Sequence, residues 1–262
     1  MSDPRTSNQA QKADAFLQMH VRGKPLVLVN VWDAGSAKAV ASGGAAAIAT
    51  GSWSVAAANG FADGEHIPLD LVIGNLERIV AAVQVPVSID MESGYGKTPG
   101  EVGASLRRAI EAGAIGCNLE DSFPENGSLR DTAAQVARIR AVRRVADELH
   151  VPFFINARTD VFFQPQEAHD DAAVSRAADR ARAYADAGAN GLFAPGLVDE
   201  RLIARLVELS PLPLNVMDTG KTPPWGDLAK AGVARISQGP APYLRAMKAV
   251  EELMQAARER IG

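Results

Sequence analysis

The 262-residue chain holds one cysteine, Cys117, so no internal disulfide can form and a disulfide-stapled secreted scaffold is excluded. No apolar run approaches the ~18 residues that a membrane-spanning helix needs. The first residues are polar and lack the apolar stretch of a secretory signal, so a cytoplasmic location is expected. Positive charge is not in excess: the net charge of −4 counts against nucleic acid as a partner. His20, His66, His150 and His169 sit in no ligand-spaced motif and read as surface or helix-end residues. Gly35 and Gly43-Gly44 form no G-x-G-x-x-G dinucleotide fingerprint. No linker or charge run divides the chain, so one domain over residues 1–262 is expected.

What the chain does have is regular alternation. Apolar runs predict strands at 26–33, 46–52, 85–92, 115–121, 152–159, 191–196, 212–218 and 234–238. Amphipathic stretches between them predict helices at 36–42, 69–83, 100–112, 132–149, 170–187, 199–209 and 225–231, with a last one at 242–261. Three of these helices run into Ala112-Gly113-Ala114, Ala187-Gly188-Ala189 and Ala231-Gly232-Val233, where glycine stops a helix just before a strand. Eight strand–helix units predict an α/β fold of the (β/α)8 TIM-barrel type, which typically takes ~250 residues. A doubly wound sheet is the rival, usually with fewer strands. Residues 1–24 read as a lead-in helix that covers the barrel's bottom or packs on a neighbour.

In Ser88-Ile89-Asp90-Met91-Glu92-Ser93-Gly94-Tyr95-Gly96 an apolar run ends in two carboxylates at i and i+2. On a strand these point the same way, and adjacent carboxylates repel unless a cation or proton lies between them. Hard oxygen ligands of this kind suit Mg²⁺ or Mn²⁺; two solvated acids are the plain alternative. Barrels gather catalytic groups at the C-terminal ends of their strands. The predicted strands end in Asn30 and Asp33; Thr50, Gly51 and Ser52; Asp90 and Glu92; Asn118, Glu120 and Asp121; Asn156, Arg158 and Asp160; and Asn215 and Asp218. Phase puts Asn118 with Glu120, and Asn156 with Arg158. Arg158 can fork onto a substrate carboxylate. Trp53 reads equally as core or pocket wall, and Gln238-Gly239-Pro240 reads as a turn, with a phosphate site as its alternative. Arg138, Arg140, Arg143 and Arg144 read as a solvated helix face, and Cys117 as a small buried hydrophobe. The last helix carries an apolar stripe, Tyr243, Leu244, Met247, Val250 and Leu253, for its own barrel or a partner's.

Together Asp90-x-Glu92-x-Gly94-Tyr95-Gly96, Asn118-Leu119-Glu120-Asp121-Ser122, Ala157-Arg158-Thr159, Thr50-Gly51-Ser52, Asn59-Gly60-Phe61-Ala62-Asp63 and Asn215-Val216-Met217-Asp218-Thr219-Gly220-Lys221 give the chain a resemblance to the isocitrate lyase/phosphoenolpyruvate mutase superfamily. Asn30-Val31-Trp32-Asp33-Ala34-Gly35-Ser36-Ala37 extends it, and Asp33 is placed with the substrate-binding candidates. The resemblance implies a Mg²⁺-dependent barrel (Mn²⁺ as substitute) acting on small 2-oxo- or 2-hydroxy-carboxylates. It implies Asp90 as principal metal ligand, with Glu92 and Glu120 holding metal-bound waters. Ser52 and the backbone about Gly51 would bind the substrate carboxylate, Arg158 would clamp another oxygen, Asp63 would sit on a gating loop, and Asn215 would line the pocket opposite. A C-terminal helix swapped between subunits, in a homodimer or homotetramer, is implied too.

One loop departs from the family. Isocitrate and methylisocitrate lyases carry a Lys-Lys/Arg-Cys-Gly-His loop after the fourth strand. Here it reads Ser122-Phe123-Pro124-Glu125-Asn126-Gly127-Ser128-Leu129, without Cys, His or Lys, which argues against those two activities. The phosphonomutases have a Lys and an Asn in this loop. Asn126 can take the Asn role, but Glu125 stands near the missing Lys with the opposite charge, unfavourable to a transferring phosphoryl group. The expected function is therefore C–C bond cleavage through an enolate, by a lyase or decarboxylase. Asp63, Tyr95, Glu125 and Arg158 are the catalytic candidates. A P–C mutase or hydrolase, or a silent carboxylate-binding barrel, are the alternatives.

Overall fold

The computed structural model describes residues 4–164 and 169–260. Nine parallel strands form one sheet: β1 (Leu26–Leu28), β2 (Asn30–Val31), β3 (Ile48–Thr50), β4 (Val87–Asp90), β5 (Gly116–Glu120), β6 (Phe154–Arg158), β7 (Gly191–Phe193), β8 (Leu214–Met217) and β9 (Arg235–Ser237). The first predicted strand appears as two. β1 pairs with β9 and β2 with β3, so the break at Val29 lets one stretch of chain close the barrel from both sides. The outer layer holds α2 (Ala34–Ser42), α4 (Leu69–Ala82), α5 (Pro99–Glu111), α6 (Thr132–Glu148), α7 (Asp171–Asp186), α8 (Glu200–Leu209) and α9 (Trp225–Lys230). This is the expected (β/α)8 barrel. Gly113, Gly188 and Gly232 adopt φ of 103°, 99° and 89°, the left-handed helix stops their sequence context predicts.

Three features depart from the sequence reading. A short helix, α3 (Ser52–Ala58), follows β3 directly; its alternating small and apolar residues gave no helical period, and Gly51 caps it without a side chain. Arg138 is not on a solvated face. It is 2% exposed and donates to the carbonyls of Ser93, Gly96 and Lys97 in the turn after β4. Arg143 likewise turns inward, donating to the Phe153 and Gly188 carbonyls and to Asn190 Oδ1. Arg140 and Arg144 remain exposed.

The helix α1 (Pro4–Gln18) closes the bottom of the barrel. Phe16 meets Phe154 edge-on at 5.4 Å, and His20 stacks on the same ring at 4.0 Å. Burial and the nearby Arg235 charge pull His20 down to about 3, so it is neutral; it is a packing residue, not a surface one. Phe154 has room because its in-register neighbour Gly116 and the nearby Gly191, which pairs with Asn156, carry no side chain. A Cβ on Gly116 would lie 2.7 Å from the Phe154 carbonyl oxygen, and one on Gly191 would lie 3.0 Å from its ring.

The last helix, α10 (Ala241–Glu259), has no buried residue. Tyr243 packs edge-on against Trp32 at 5.2 Å and Trp53 at 5.9 Å. Beyond that first turn Val250, Leu253 and Met254 are 59–72% exposed, so the stripe does not pack on its own barrel. The predicted end at Ile261 lies outside the described residues.

Removing the Arg138 guanidinium leaves three carbonyls of the β4 turn without their donor. Arg138→Ala is expected to cost about 2–4 kcal/mol, a Tm loss of roughly 5–12 °C for a chain of this size. Arg140→Ala is expected to stay within about 0.5 kcal/mol. Thermal denaturation of the pair checks this; equal midpoints would return Arg138 to the solvent face.

Candidate active site

The mouth at the C-terminal ends of the strands opens into a cavity of about 220 Å³. Its lining mixes polar groups, Asn30, Ser52, Asp63, Asp90, Asn118, Arg158 and Ser237, with apolar ones, Trp53, Phe163, Phe193, Pro195, Met217 and Pro240. Asp90 ends β4. Its backbone N–H is fixed by Thr50 Oγ1 at 2.9 Å, and its carboxylate accepts only long contacts, from Ser52 N at 3.5 Å and Glu92 N at 3.3 Å. That carboxylate therefore keeps most of its acceptor capacity for a ligand.

Glu92 does not stand beside Asp90 on a strand, as the i, i+2 spacing predicts. β4 ends at Asp90, and Glu92 turns left-handed at φ 48° ahead of Gly94 at φ 105°. Its buried carboxylate accepts from Gly64 N and Glu65 N, both at 2.7 Å, and from the Tyr95 hydroxyl at 2.9 Å. Glu65 answers in the other direction, accepting from Ser93 Oγ at 2.8 Å and Tyr95 N at 2.9 Å. Two acids thus lock the segment carrying Asp63 onto the turn after β4. Sequence reasoning missed Glu65, which no motif marks.

Across the mouth, Glu120 and Arg158 sit in register on β5 and β6 and meet at 2.8 Å. Arg158 also grips Asp160 through Nε at 2.6 Å and Nη2 at 3.0 Å. A guanidinium has five N–H donors, so two remain for a ligand. Asn118 Oδ1 accepts from Asn156 Nδ2 at 2.9 Å, which turns the Asn118 amide nitrogen toward the cavity. Asn30 ties the floor together: it donates to the Thr50 carbonyl and accepts from Gln238 N and Gly239 N, binding the Gln238-Gly239-Pro240 turn to the site.

The acids crowd one another. Burial, then the Asp63 and Asp90 charges, push Glu92 up to about 7. Partial burial and the Asp90 charge push Asp63 up, against a hydrogen bond from Ser52. Glu120 is pushed up by burial and by Asp160, Asp90 and Glu92, while Arg158 pulls it down. Burial and Glu92 push the Tyr95 phenol up, so it stays protonated and donates.

Of the predicted site residues, Gly51, Ser52, Trp53, Asp63, Asp90 and Arg158 share the cavity. Asp33 does not: it caps α2, accepting from Ser36 N at 2.7 Å, and is exposed. Glu125 and Asn126 are exposed on the loop after β5, off the cavity, and Asn126 is spent on Ser128. Tyr95 and Glu125 line a neighbouring groove instead. Asn215 is buried, accepting from Ser237 Oγ at 3.2 Å, and is not on the cavity wall. Apart from Trp53, the apolar residues of the cavity were missed. Phe193 and Met217 stand two residues beyond Gly191 and Asn215 in the inward phase, a signal strand alternation could have given; Phe163, on a 3₁₀ turn (Asp160–Phe163), had none.

The surplus of acid over cation at this mouth fits a divalent ion. Among the described residues no three His, Cys, Asp or Glu side chains are arranged to hold a metal on protein ligands alone. Asp90 with a largely hydrated ion is the fitting arrangement, since Mg²⁺ usually keeps several waters.

Comparison with known proteins agrees with this architecture. The model of the phosphoenolpyruvate phosphomutase family matches residues 16–258. The crystal structure of a candidate phosphonomutase from Burkholderia cenocepacia superposes with a TM-score of 0.93 at 54% identity, over 95% of this chain and 99% of that one. The Mycobacterium tuberculosis protein Rv1998c is 34% identical over 92% of this chain and 88% of its own length. The 2-methylisocitrate lyase of Salmonella typhimurium is 28% identical over 94% of this chain and 84% of its own.

The raised Glu92 carboxyl sets a pH dependence. Its folded value of about 7 lies above its ordinary 4.5, so the folded chain holds the extra proton between the two. Stability of the metal-free protein is therefore expected to fall as pH rises through that window, by about 2–3 kcal/mol for this group. Glu92→Gln flattens the decline in a Tm-versus-pH series. At pH 8, millimolar Mg²⁺ raises the wild-type Tm by mass action, and Asp90→Asn loses that response.

Proposed function

The chain belongs to the phosphoenolpyruvate phosphomutase family, and from that premise we propose that it is a Mg²⁺-dependent lyase or decarboxylase that breaks a C–C bond beside the carbonyl of a small 2-oxo- or 2-hydroxy-carboxylate. The observation that carries this reading is the convergence of Asp63, Asp90, Ser52, Asn118 and Arg158 on one cavity. Asp90 would hold the ion, with Glu120 beside Arg158 as a further acidic group near it. Mn²⁺ can replace Mg²⁺ at such an oxygen site. When bound, the ion supplies positive charge where cleavage beside a carbonyl leaves an enolate.

The chain's own groups do the rest. Arg158 presents its two remaining N–H groups to the substrate carboxylate, and Ser52 binds the same group from the opposite side. Asn118 donates its amide to a substrate oxygen. Asp63, raised and at the rim, holds and returns the proton that cleavage moves at its carboxyl oxygen. Glu92, committed to Gly64 and Glu65, acts by fixing the Asp63 segment. The loop residues of the isocitrate lyases have no counterpart here, which favours smaller substrates. The likeness to the candidate phosphonomutase favours a second reading, P–C bond chemistry on a phosphonopyruvate-like substrate; a barrel that binds without turnover is the third.

The uncovered stripe of α10 is read as a subunit contact with a second copy, in a homodimer or homotetramer. The single, buried Cys117 suits a reducing, cytoplasmic compartment. Among the described residues no helix is long and apolar enough to cross a membrane.

A turnover screen with Mg²⁺ on oxaloacetate, dimethylmalate, 2-methylisocitrate and phosphonopyruvate tests the reading. Release of a 2-oxo acid from a C–C substrate is expected, with at least about a 10³-fold loss in Asp90→Ala. Full activity in that variant would sink the metal assignment, and turnover of phosphonopyruvate alone would select the second reading. Light scattering after gel filtration is expected to give two or four chains, and the double variant Val250→Asp/Leu253→Asp to give one.

A further inference from the structure

We propose that Asp160 is a positioning residue that aims the Arg158 guanidinium into the cavity, and that Asp121 and Tyr184 hold it from the outer layer of the barrel, with Ser122 at its side. The inference rests on the reading of Arg158 as the group that binds the substrate carboxylate. A chain of hydrogen bonds carries it, running from α7 to the mouth behind the ligand space: none of Asp121, Ser122, Asp160, Arg180 and Tyr184 lines the cavity.

The sheet places the Arg158 main chain. Beyond the in-register pair of Glu120 and Arg158, the Arg158 carbonyl accepts from Asp121 N at 3.2 Å. The sheet does not place the long side chain, whose rotamers are many. Glu120 and Asp160 do that, and their grips differ. Glu120 meets Nη1 as an ion pair at 2.8 Å and stands near the proposed ion, so its charge is shared when the ion is bound. Asp160 takes Nε at 2.6 Å and Nη2 at 3.0 Å, a two-point grip that fixes the plane of the guanidinium. That grip is the one which neither ion nor ligand contests.

Asp160 itself needs holding. It opens the 3₁₀ turn after β6, where the first N–H groups have no partner within the turn. Asp121 Oδ1 accepts the Asp160 N–H at 2.9 Å, and Ser122 Oγ donates to Asp160 Oδ2 at 2.7 Å. Asp121 is fully buried and fixed in turn. Its Oδ2 accepts from the Tyr184 hydroxyl at 2.7 Å and from Arg180 Nη1 at 3.1 Å. Arg180 Nη1 also donates to the Tyr184 oxygen at 2.9 Å, and Nη2 donates to the Arg130 carbonyl at 2.9 Å. Tyr184 is fully buried on α7, so its hydroxyl is spent within this group.

The ends of β5 and β6 are already joined by main-chain bonds. A network that only packed α7 on the barrel would have no need of an acceptor aimed at the Asp160 N–H. Aim matters because two-point recognition of a carboxylate is sensitive to position: a displacement of ~1 Å can cost ~10²-fold. Without the Tyr184 hydroxyl, Asp121 Oδ2 keeps Arg180 alone and its carboxylate is free to turn away from Asp160.

The test is oxalate binding, measured by calorimetry with Mg²⁺ present, in the wild type, Tyr184→Phe, Ser122→Ala, Arg158→Lys and the two double variants that include Arg158→Lys. Tyr184→Phe keeps the ring and removes only the hydroxyl. Each of Tyr184→Phe and Ser122→Ala is expected to weaken oxalate binding about tenfold, while the rise in Tm given by Mg²⁺ alone stays at the wild-type size. Neither is expected to weaken it further in the Arg158→Lys background, where the fork is gone. Wild-type oxalate affinity in Tyr184→Phe (or in Ser122→Ala, where Tyr184→Phe does not fold) overturns the positioning role and leaves Arg158 as the clamp. Losses that add to that of Arg158→Lys, or a matching loss of the Mg²⁺ response, do the same. Wild-type affinity in Arg158→Lys, or no oxalate binding by the wild type, overturns the reading of Arg158 itself.

Discussion

Arg158 donates through Nε and Nη2 to Asp160 and meets Glu120 at 2.8 Å, and the in-register pairing of Glu120 with Arg158 across β5 and β6 sets that geometry before any side chain chooses a rotamer. The other acids at the mouth depend on it. Asp63, Asp90, Glu92 and Glu120 crowd into a region where burial penalises charge, and Arg158 is the cation among them. Breaking a buried ion pair by removing one partner typically costs about 3–5 kcal/mol, because the other charge is left unpaired. A site this short of positive charge is strained as a metal-free structure and suited to an added cation.

Beneath the mouth the barrel interior is unusually polar. Barrel interiors are normally layers of branched apolar residues. Here Asn30, Asn118, Asn156, Asn215, Arg235 and Ser237 occupy inward positions and are all nearly fully buried. Their mutual hydrogen bonds orient one another: Asn156 fixes Asn118, Arg235 reaches Asn118 and Ser237, and Ser237 fixes Asn215. A carboxamide is symmetric enough to flip, and what prevents it at Asn118 is that its oxygen is already claimed from below. The polar floor is thus the support that presents an amide donor, rather than an acceptor, to the cavity. Small residues make it possible, since Gly116 and Gly191 leave the space that Phe154 and Asn156 occupy.

The barrel was legible in the sequence because period-2 and period-3.6 patterns alternate cleanly and glycine marks three of the helix ends. The strand-end acids and Arg158 were legible for the same reason: the fold rule says which end of a strand to read. What was not legible depended on contacts between distant segments. Glu92 reads as a strand residue, yet the strand stops at Asp90 and the carboxylate is captured by Gly64 and Glu65, nearly thirty residues away. Arg138 reads as solvated because arginines cluster around it, yet its partners are carbonyls about forty residues upstream. Asp33 lies in a resembling motif but does a local job as the cap of α2. Apart from Trp53, the apolar residues of the cavity escaped notice for another reason: hydrophobic residues in strands default to core, and only the cavity's position shows that Phe193 and Met217 line it.

The polar and apolar residues of the cavity come largely from different parts of the chain. Asn30, Asp63, Asp90, Asn118 and Arg158 stand on the segments from β2 to β6, and Phe193, Pro195, Met217 and Pro240 on those from β7 to the start of α10, with Trp53, Phe163 and Ser237 as the exceptions. In a barrel each βα segment contributes its loop almost independently, because the strands beneath are held by the sheet and not by the loops. The charged and the apolar residues of the cavity can therefore vary separately. The acids and Arg158 are interlocked by ion pairs and hydrogen bonds, so changing one disturbs its neighbours. The apolar residues touch the ligand space through packing alone, where volume-conserving changes are tolerated. A fold that keeps its charged residues fixed can therefore re-size the apolar part of this cavity one residue at a time.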